Sequence, residues 1–227
     1  VNYSDFIDSV REAGVVGQGG AGFPSHVKYA TTVDTVIVNG CECEPLLATD
    51  RFMIVRRAEA LLRTAAEVAR GVGASRCVMA VKGKNAAAVE ALGQAPDFGV
   101  ELRLIDDFYP AGDEQTLVRV ITGKTIPPLG IPAKCGSLVT NVGTLLAAHD
   151  AKQGKPVTSK IVTVTGEVAS PSVISVPVGT SIADCIDACG GSRIADPVCV
   201  LGGPIMGRVV ESYAGEVVTK TLGGIIL

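Results

Sequence analysis

Two rhythms of hydrophobic and polar residues alternate along the first two thirds of this chain. Asp5–Ala13 has helical spacing, with Ser4 as its candidate cap, and Thr35-Val36-Ile37-Val38 is a β-branched run typical of a buried parallel strand, ending at Asn39-Gly40. The longest helical pattern opens at Asp50, read as its cap. It runs through Met53, Ala58, Leu61, Leu62, Ala65 and Val68 to a stop near Gly71 and Gly73. A strand over Cys77–Val81, a helix capped by Asn85 and a strand over Val100–Ile105 follow. After a loop over 106–112 come a helix over Asp113–Ile121, a Pro/Gly-rich crossing over 123–136, and a helix from Val142 to His149. This alternation predicts an α/β domain, a Rossmann-like, mostly parallel sheet flanked by helices.

The rhythm changes after the polar stretch Ala151–Pro156. Lys160–Val168 and Ser172–Val178 alternate with period two across a Ser170-Pro171 turn, and a single helix capped by Thr180 or Ser181 reaches Cys189, where Gly190-Gly191 stops it. Cys185 and Cys189 share a face of that helix and are expected to pack on the small sheet. A small β-grasp-like sheet carrying one helix is the reading, with domains at 1–152 and 157–227.

Composition narrows the function classes. A net charge of −3 with no basic stripe gives nucleic-acid binding no electrostatic support. Although 47% of the 227 residues are hydrophobic, no apolar run is long enough for a transmembrane segment, and no signal-peptide pattern opens the chain. Seven cysteines without a regular framework suit a reducing, cytoplasmic setting. Cys41-x-Cys43 lacks a matching pair elsewhere, so no metal ligands are assigned.

The chemistry concentrates in four stretches. Gly17, Gly19, Gly20 and Gly22 form a loop followed by Phe23-Pro24 and Lys28, whose backbone can approach a phosphate or a flat heterocycle. Its G-x-G-x-x-G spacing is not a dinucleotide fingerprint: a helical segment precedes it, Pro24 interrupts the exit, and the next acid, Asp34, comes too soon. Asn39-Gly40-Cys41-Glu42-Cys43-Glu44-Pro45 sits at the carboxyl end of a strand, where open α/β sheets bind ligands. Its Asn39 amide suits a heterocycle edge, and its two glutamates suit ribose hydroxyls. Tyr109-Pro110-Ala111-Gly112-Asp113-Glu114 opens a helix, where acids also complement the dipole. Val139-Thr140-Asn141-Val142-Gly143-Thr144 opens another, with N–H groups available to an anion. The Gly-Lys pairs at 83–84 and 123–124 lack the upstream glycine of a P-loop.

Together and in this order, Gly17-x-Gly-Gly-Ala-Gly-Phe-Pro-x-x-x-Lys28, Asn39-x-x-Glu-x-Glu-Pro45, Gly112-Asp-Glu114 and Asn141-Val-Gly-Thr144 resemble the FMN-binding core of the flavin subunit of respiratory complex I. Cys43-Glu44-Pro45 and Tyr109-Pro110-x-Gly112 are closer to the C subunit of the Rnf electron-transport complex and to the cobalamin reductases of propanediol-utilisation microcompartments. The last 70 residues, with Gly202-Gly203-Pro204-x-Met206-Gly207, are similar to the SLBB β-grasp domain of those proteins. Gln18 stands where the complex I loop has an arginine, and Cys41 where it has an acid.

The resemblance implies an FMN-dependent oxidoreductase that oxidises NADH and passes electrons to cobalamin or to a partner iron–sulfur protein. Gly17, Gly19, Gly20 and Gly22 would then give backbone contacts, Lys28 a cation beside the flavin, and Asn39 a ring contact. Asn141 and Thr144, with Thr140, would hold phosphate or ribityl groups. Phe23 would stack on the nicotinamide or adenine, while Glu44 and Glu114 would take ribose or nicotinamide contacts. Glu42, Tyr109, Gly112 and Asp113 complete the implied cofactor-binding set. Iron–sulfur motifs follow the SLBB domain in those relatives, and no C-x₂-C-x₂-C run occurs before Leu227. The resemblance therefore implies a fragment or short form, with any clusters in a missing C-terminal region. It also implies a place inside a bacterial microcompartment or peripheral to a membrane complex. The rival expectation is a non-catalytic assembly module with a vestigial flavin site.

Overall fold

A computed structural model describes residues 2–227 and resolves them into two compact units. One comprises residues 2–17, Phe23–Cys43 and Asp50–Pro156; the other comprises Gln18–Gly22, Glu44–Thr49 and Val157–Leu227.

The first unit is built on four parallel strands, β1 (Thr35–Gly40), β2 (Arg76–Lys82), β3 (Glu101–Ile105) and β4 (Ser137–Asn141), in the order β3-β2-β1-β4. The helices are α1 (Tyr3–Glu12), α2 (Ser25–Tyr29), α3 (Thr49–Gly71), α4 (Ala86–Gln94), α5 (Glu114–Thr122) and α6 (Val142–Ala151). Val36, Ile37 and Val38 of β1 are all fully buried, which is why this strand reads as an unbroken apolar run: a central parallel strand is covered on both faces. α3 kinks at Arg57, where the backbone leaves helical φ/ψ; beyond the kink Leu61, Ala65 and Val68 are buried at separations of four and three, so one stripe faces the core. α6 is apolar around most of its circumference, and Val142, Leu145, Leu146, Ala148 and Ala151 are buried.

Several boundaries differ from the sequence expectation, each for a local reason. α1 is capped by Asn2, whose Oδ1 accepts from Ser4 N–H, and not by Ser4. α3 begins at Thr49, so Asp50 lies inside its first turn. Asn85 stands at the start of α4 but its side chain makes no capping bond. Pro24 does not end regular structure: α2 starts directly after it, as the fixed φ of proline allows at a helix start. β4 is hidden in the Pro/Gly-rich crossing because only Leu138 and Val139 of its five residues are apolar.

The second unit holds a five-stranded sheet, β6-β5-β9-β7-β8, from β5 (Ser159–Thr165), β6 (Ser172–Pro177), β7 (Cys199–Leu201), β8 (Arg208–Val210) and β9 (Gly224–Ile226). β5 pairs antiparallel with β6 and parallel with β9, and β7 pairs antiparallel with both β8 and β9. α7 (Ile182–Ala188) is capped by Ser181, whose Oγ accepts from Asp184 N–H at 3.0 Å. Its Ile182, Cys185 and Ile186, with Cys189, form one core with Val162, Val164, Cys199 and Ile225. No helix among the described residues is long and apolar enough to cross a membrane.

Candidate functional site

The strand order of the first unit determines where a ligand belongs. From β1 the chain steps outward to β2 and β3, then returns to β4 on the other side of β1. Open parallel sheets bind ligands outside the carboxyl ends of their strands at such a reversal. β1 and β4 are in parallel register with Asn39 paired to Asn141, so two motifs far apart in sequence end side by side at the reversal.

Around that point the sequence-predicted residues bond to one another. Lys28, on α2, donates from Nζ to Glu114 Oε1 at 2.9 Å and to the Val139 carbonyl at 2.9 Å. Both side chains are roughly one-third to one-half exposed (32% and 44%), so the ion pair stabilises the fold by no more than about 1 kcal/mol. Its consequence is positional: the ammonium is fixed between Glu114 and the Val139 carbonyl, midway along β4.

Asn39 donates from Nδ2 to the Gly112 carbonyl at 2.7 Å and accepts the Cys41 N–H on Oδ1 at 3.0 Å. The Gly112 N–H in turn donates to Cys43 Sγ at 2.9 Å, and the Cys43 thiol donates to the Cys41 carbonyl at 3.0 Å. A Cβ on Gly112 would lie 2.6 Å from the Cys41 carbonyl oxygen, so only glycine permits this approach. Burial chiefly, with Cys43 nearby, pushes the Cys41 thiol up to about 12, partly offset by Lys82.

A second chain of bonds joins α3 to α6. Glu42 Oε1 accepts the Asp50 N–H at 3.0 Å, Asp50 Oδ2 accepts from Asn141 Nδ2 at 2.8 Å, and Asn141 Oδ1 caps α6 through the N–H groups of Gly143 and Thr144. Thr140 is turned inward, its hydroxyl 2.9 Å from that of the fully buried Tyr29, whose ionisation burial opposes. Asp113 Oδ1 caps α5 through the N–H groups of Gln115 and Thr116, the dipole role its position suggests. Phe23 and Tyr109 present half-exposed rings.

Gly17 lies in the first unit, its N–H donating to the Phe23 carbonyl at 2.8 Å, whereas Gly19, Gly20, Gly22 and Glu44 lie in the second. Among Gln18–Gly22, Gly20 has φ +139° and Gly22 φ +66°, conformations that a side chain strains, and a Cβ on Gly20 would meet nothing within 4 Å. Lys160, at the start of β5 and buried, donates to Gln18 Oε1 at 2.7 Å. Glu44 accepts from two successive backbone N–H groups, Ile205 at 3.0 Å and Met206 at 2.8 Å, in the turn between β7 and β8. Its carboxylate is thus engaged by backbone, the kind of N–H nest that binds anions. Thr163 of β5 accepts from Ala48 N–H at 3.0 Å, its hydroxyl lies 2.9 Å from that of Thr49, and Thr49 donates to the Gly223 carbonyl.

Sequence reasoning misses four partners in these networks: Tyr29, Cys43, Asp50 and Lys160. Asp50 carries only a helix-start signal, and Cys43 reads only as half of a metal site. Lys160 does carry a signal. It shares strand parity with Val162 and Val164, which places an ammonium on a core-facing side.

Three comparisons bear on this arrangement. Residues 10–150 match the family described as the Nuo51 FMN-binding domain, and residues 161–209 match the SLBB domain. The chain is 40% identical over 221 residues to the cobalamin reductase PduS of Citrobacter freundii, covering 97% of this chain and 49% of that protein. It is 34% identical over 215 residues to the C subunit of the proton-translocating ferredoxin:NAD(+) oxidoreductase complex of Clostridium ljungdahlii, covering 91% of this chain and 47% of that protein. The chain therefore spans about half the length of these relatives. Among solved structures, an NAD+-reducing [NiFe]-hydrogenase in its H2-reduced state superposes with a TM-score of 0.79 at 23% identity, covering 98% of this chain and 46% of the other, which establishes a shared fold.

Proposed function

Because this chain belongs to the Nuo51 FMN-binding domain family, we propose that it binds FMN noncovalently and acts as the NADH-oxidising electron-entry part of a larger redox system. The observation that carries the proposal is the convergence of Asn39 and Asn141 at the sheet reversal, with Lys28 held on the Val139 carbonyl of β4. The donor set suits this cofactor. A fixed ammonium favours the phosphate, as does the dipole of a ten-residue helix whose Gly143 and Thr144 N–H groups already serve Asn141, and carboxylates at Glu42, Asp50 and Glu114 can accept from ribityl or ribose hydroxyls. Gly20, with open space where a side chain would stand, lets backbone meet a flat ring.

Bound FMN would supply the ability to take two electrons as hydride from a nicotinamide and release them singly. The residues' own work is positioning. Lys28 and Asn141 orient the anionic end. Asn39, already braced against Gly112 and Cys41, would keep the 39–43 segment rigid for a bound flavin. Phe23 offers an exposed face for nicotinamide or adenine stacking, and Glu114, half-exposed, accepts hydrogen bonds from that substrate. The acceptor is a cobalamin or a partner iron–sulfur protein, in line with relatives named a cobalamin reductase and a component of a ferredoxin:NAD(+) oxidoreductase complex.

The test is to reconstitute the full chain with FMN and add NADH without oxygen. Bleaching of the flavin absorbance is expected. Bound flavin that NADH leaves unchanged would rule out the oxidation step, and failure to retain FMN would rule out the cofactor assignment.

A further inference from the structure

The stretch Gln18–Gly22 contains three glycines and an alanine, so Gln18 carries its only hydrogen-bonding side chain. Such a loop is costly to order, since glycine loses more conformational freedom than any other residue. Gln18 accepts at 2.7 Å from Lys160, which stands 142 positions away in β5. β5 is a firm base: Lys160 lies within its antiparallel ladder to β6, and three residues further on β5 also pairs with β9. Lys160 is only 4% exposed. Burying an ammonium is strongly unfavourable unless hydrogen bonds repay its lost hydration, and a hydrophobic residue of similar volume would pack there without that penalty.

We propose that Lys160 is a positioning residue for the glycine loop: through Gln18 it holds Gln18–Gly22 in the conformation that receives FMN. The inference rests on the reading of this loop as part of an FMN site. It gives a role to Lys160 and Gln18, neither of which the sequence motifs assign to the cofactor. It also accounts for glutamine at position 18, whose neutral carbonyl can accept from a lysine where an arginine would repel it.

The experiment compares Lys160→Met, Lys160→Arg, Gln18→Ala and the Lys160→Met/Gln18→Ala double variant in the full chain. Two quantities are read: FMN affinity by fluorescence quenching, and amide hydrogen exchange across 17–23 without FMN. Lys160→Met and Gln18→Ala should each weaken FMN binding about tenfold, the scale of losing one hydrogen bond to a charged group. They should also speed exchange across the loop. The double variant should bind no more weakly than the weaker single, because both remove one interaction. Lys160→Arg should restore most of the affinity. Gln18→Ala leaves β5 intact, so it decides the matter even if Lys160→Met folds poorly. If Gln18→Ala binds FMN like the parent and its loop exchange is unchanged, Lys160 only packs β5 and the proposal is overturned. If the parent itself does not bind FMN, the cofactor reading fails, and the exchange data still decide whether the pair orders the loop.

Discussion

Glu42 and Glu44 stand two residues apart in one motif, yet they serve different regions by different physics. Glu42 belongs to the first unit and takes the backbone N–H of Asp50, in a relay through Asn141 to the start of α6. Glu44 belongs to the second and has each carboxylate oxygen on a successive N–H of the β7–β8 turn. The contrast extends beyond these residues. The carboxyl ends of β1 and β4 are braced by side chains bonding to one another and to strand-end backbone. The glycine loop has almost no side chains, and Lys160 bonds to one of them, Gln18. In the first unit side-chain bonds brace the strand ends, whereas in the second backbone N–H groups hold Glu44 and a buried lysine reaches the glycine loop.

The largest effect should come from Gly112→Ala. The added methyl would stand 2.6 Å from the Cys41 carbonyl, a backbone atom that can move only by breaking the bonds linking Asn39, Cys41, Gly112 and Cys43. Overpacking of this kind costs about 1–3 kcal/mol. Denaturant unfolding should show that loss together with loss of FMN binding. Full stability and normal binding would mean that this end of the sheet is not braced as described.

Glu44→Gln against Glu42→Gln sharpens the contrast directly. Replacing the doubly bonded carboxylate should lose about 1 kcal/mol, since the bonds are solvent-exposed and the amide oxygen keeps one of them, and should raise amide exchange at Ile205 and Met206. Glu42→Gln should lose less, since an amide oxygen can still accept the Asp50 N–H. Equal effects from the two would erase the distinction.

Glu114→Gln should barely change stability, because its ion pair with Lys28 is well exposed. It should still retain FMN while slowing flavin reduction at limiting NADH. Loss of flavin, or an unchanged rate, would remove Glu114 from the nicotinamide role.

The smallest effect concerns the thiols. Burial, with Cys189 and Asp184 nearby, raises Cys185 to about 11, and burial raises Cys189 as well. Since the thiolate is the reactive form, Cys185 should label at about a hundredth or less of the free-cysteine rate near pH 8, and Cys189 more slowly than a free cysteine. Labelling at the free rate under native conditions would show that the second unit's core is open where it is described as packed.

The elements are legible in the sequence wherever one physical signal dominates. The all-buried run of β1, the apolar stripe of α3 beyond Arg57 and the start of α7, which the sequence leaves at Thr180 or Ser181, each follow from composition at fixed spacing. β4 is not, because its strand character comes from pairing with β1 and not from its own residues. The site motifs are visible as residue types, but their bonding partners are not. Nothing local to Asn39 says that its amide is taken up by Gly112, or to Gln18 that a lysine from β5 reaches it, since both contacts are long-range products of the fold.

The central claim is that Lys28, Asn141 and the start of α6 serve an anionic cofactor at the reversal between β1 and β4. It is tested most directly by titrating the full chain with FMN and with riboflavin, which lacks only the phosphate. The account predicts that FMN binds tighter by several kcal/mol, the scale of two or three charge-assisted hydrogen bonds, and that Lys28→Met removes much of the difference. Equal affinity for the two flavins would contradict it.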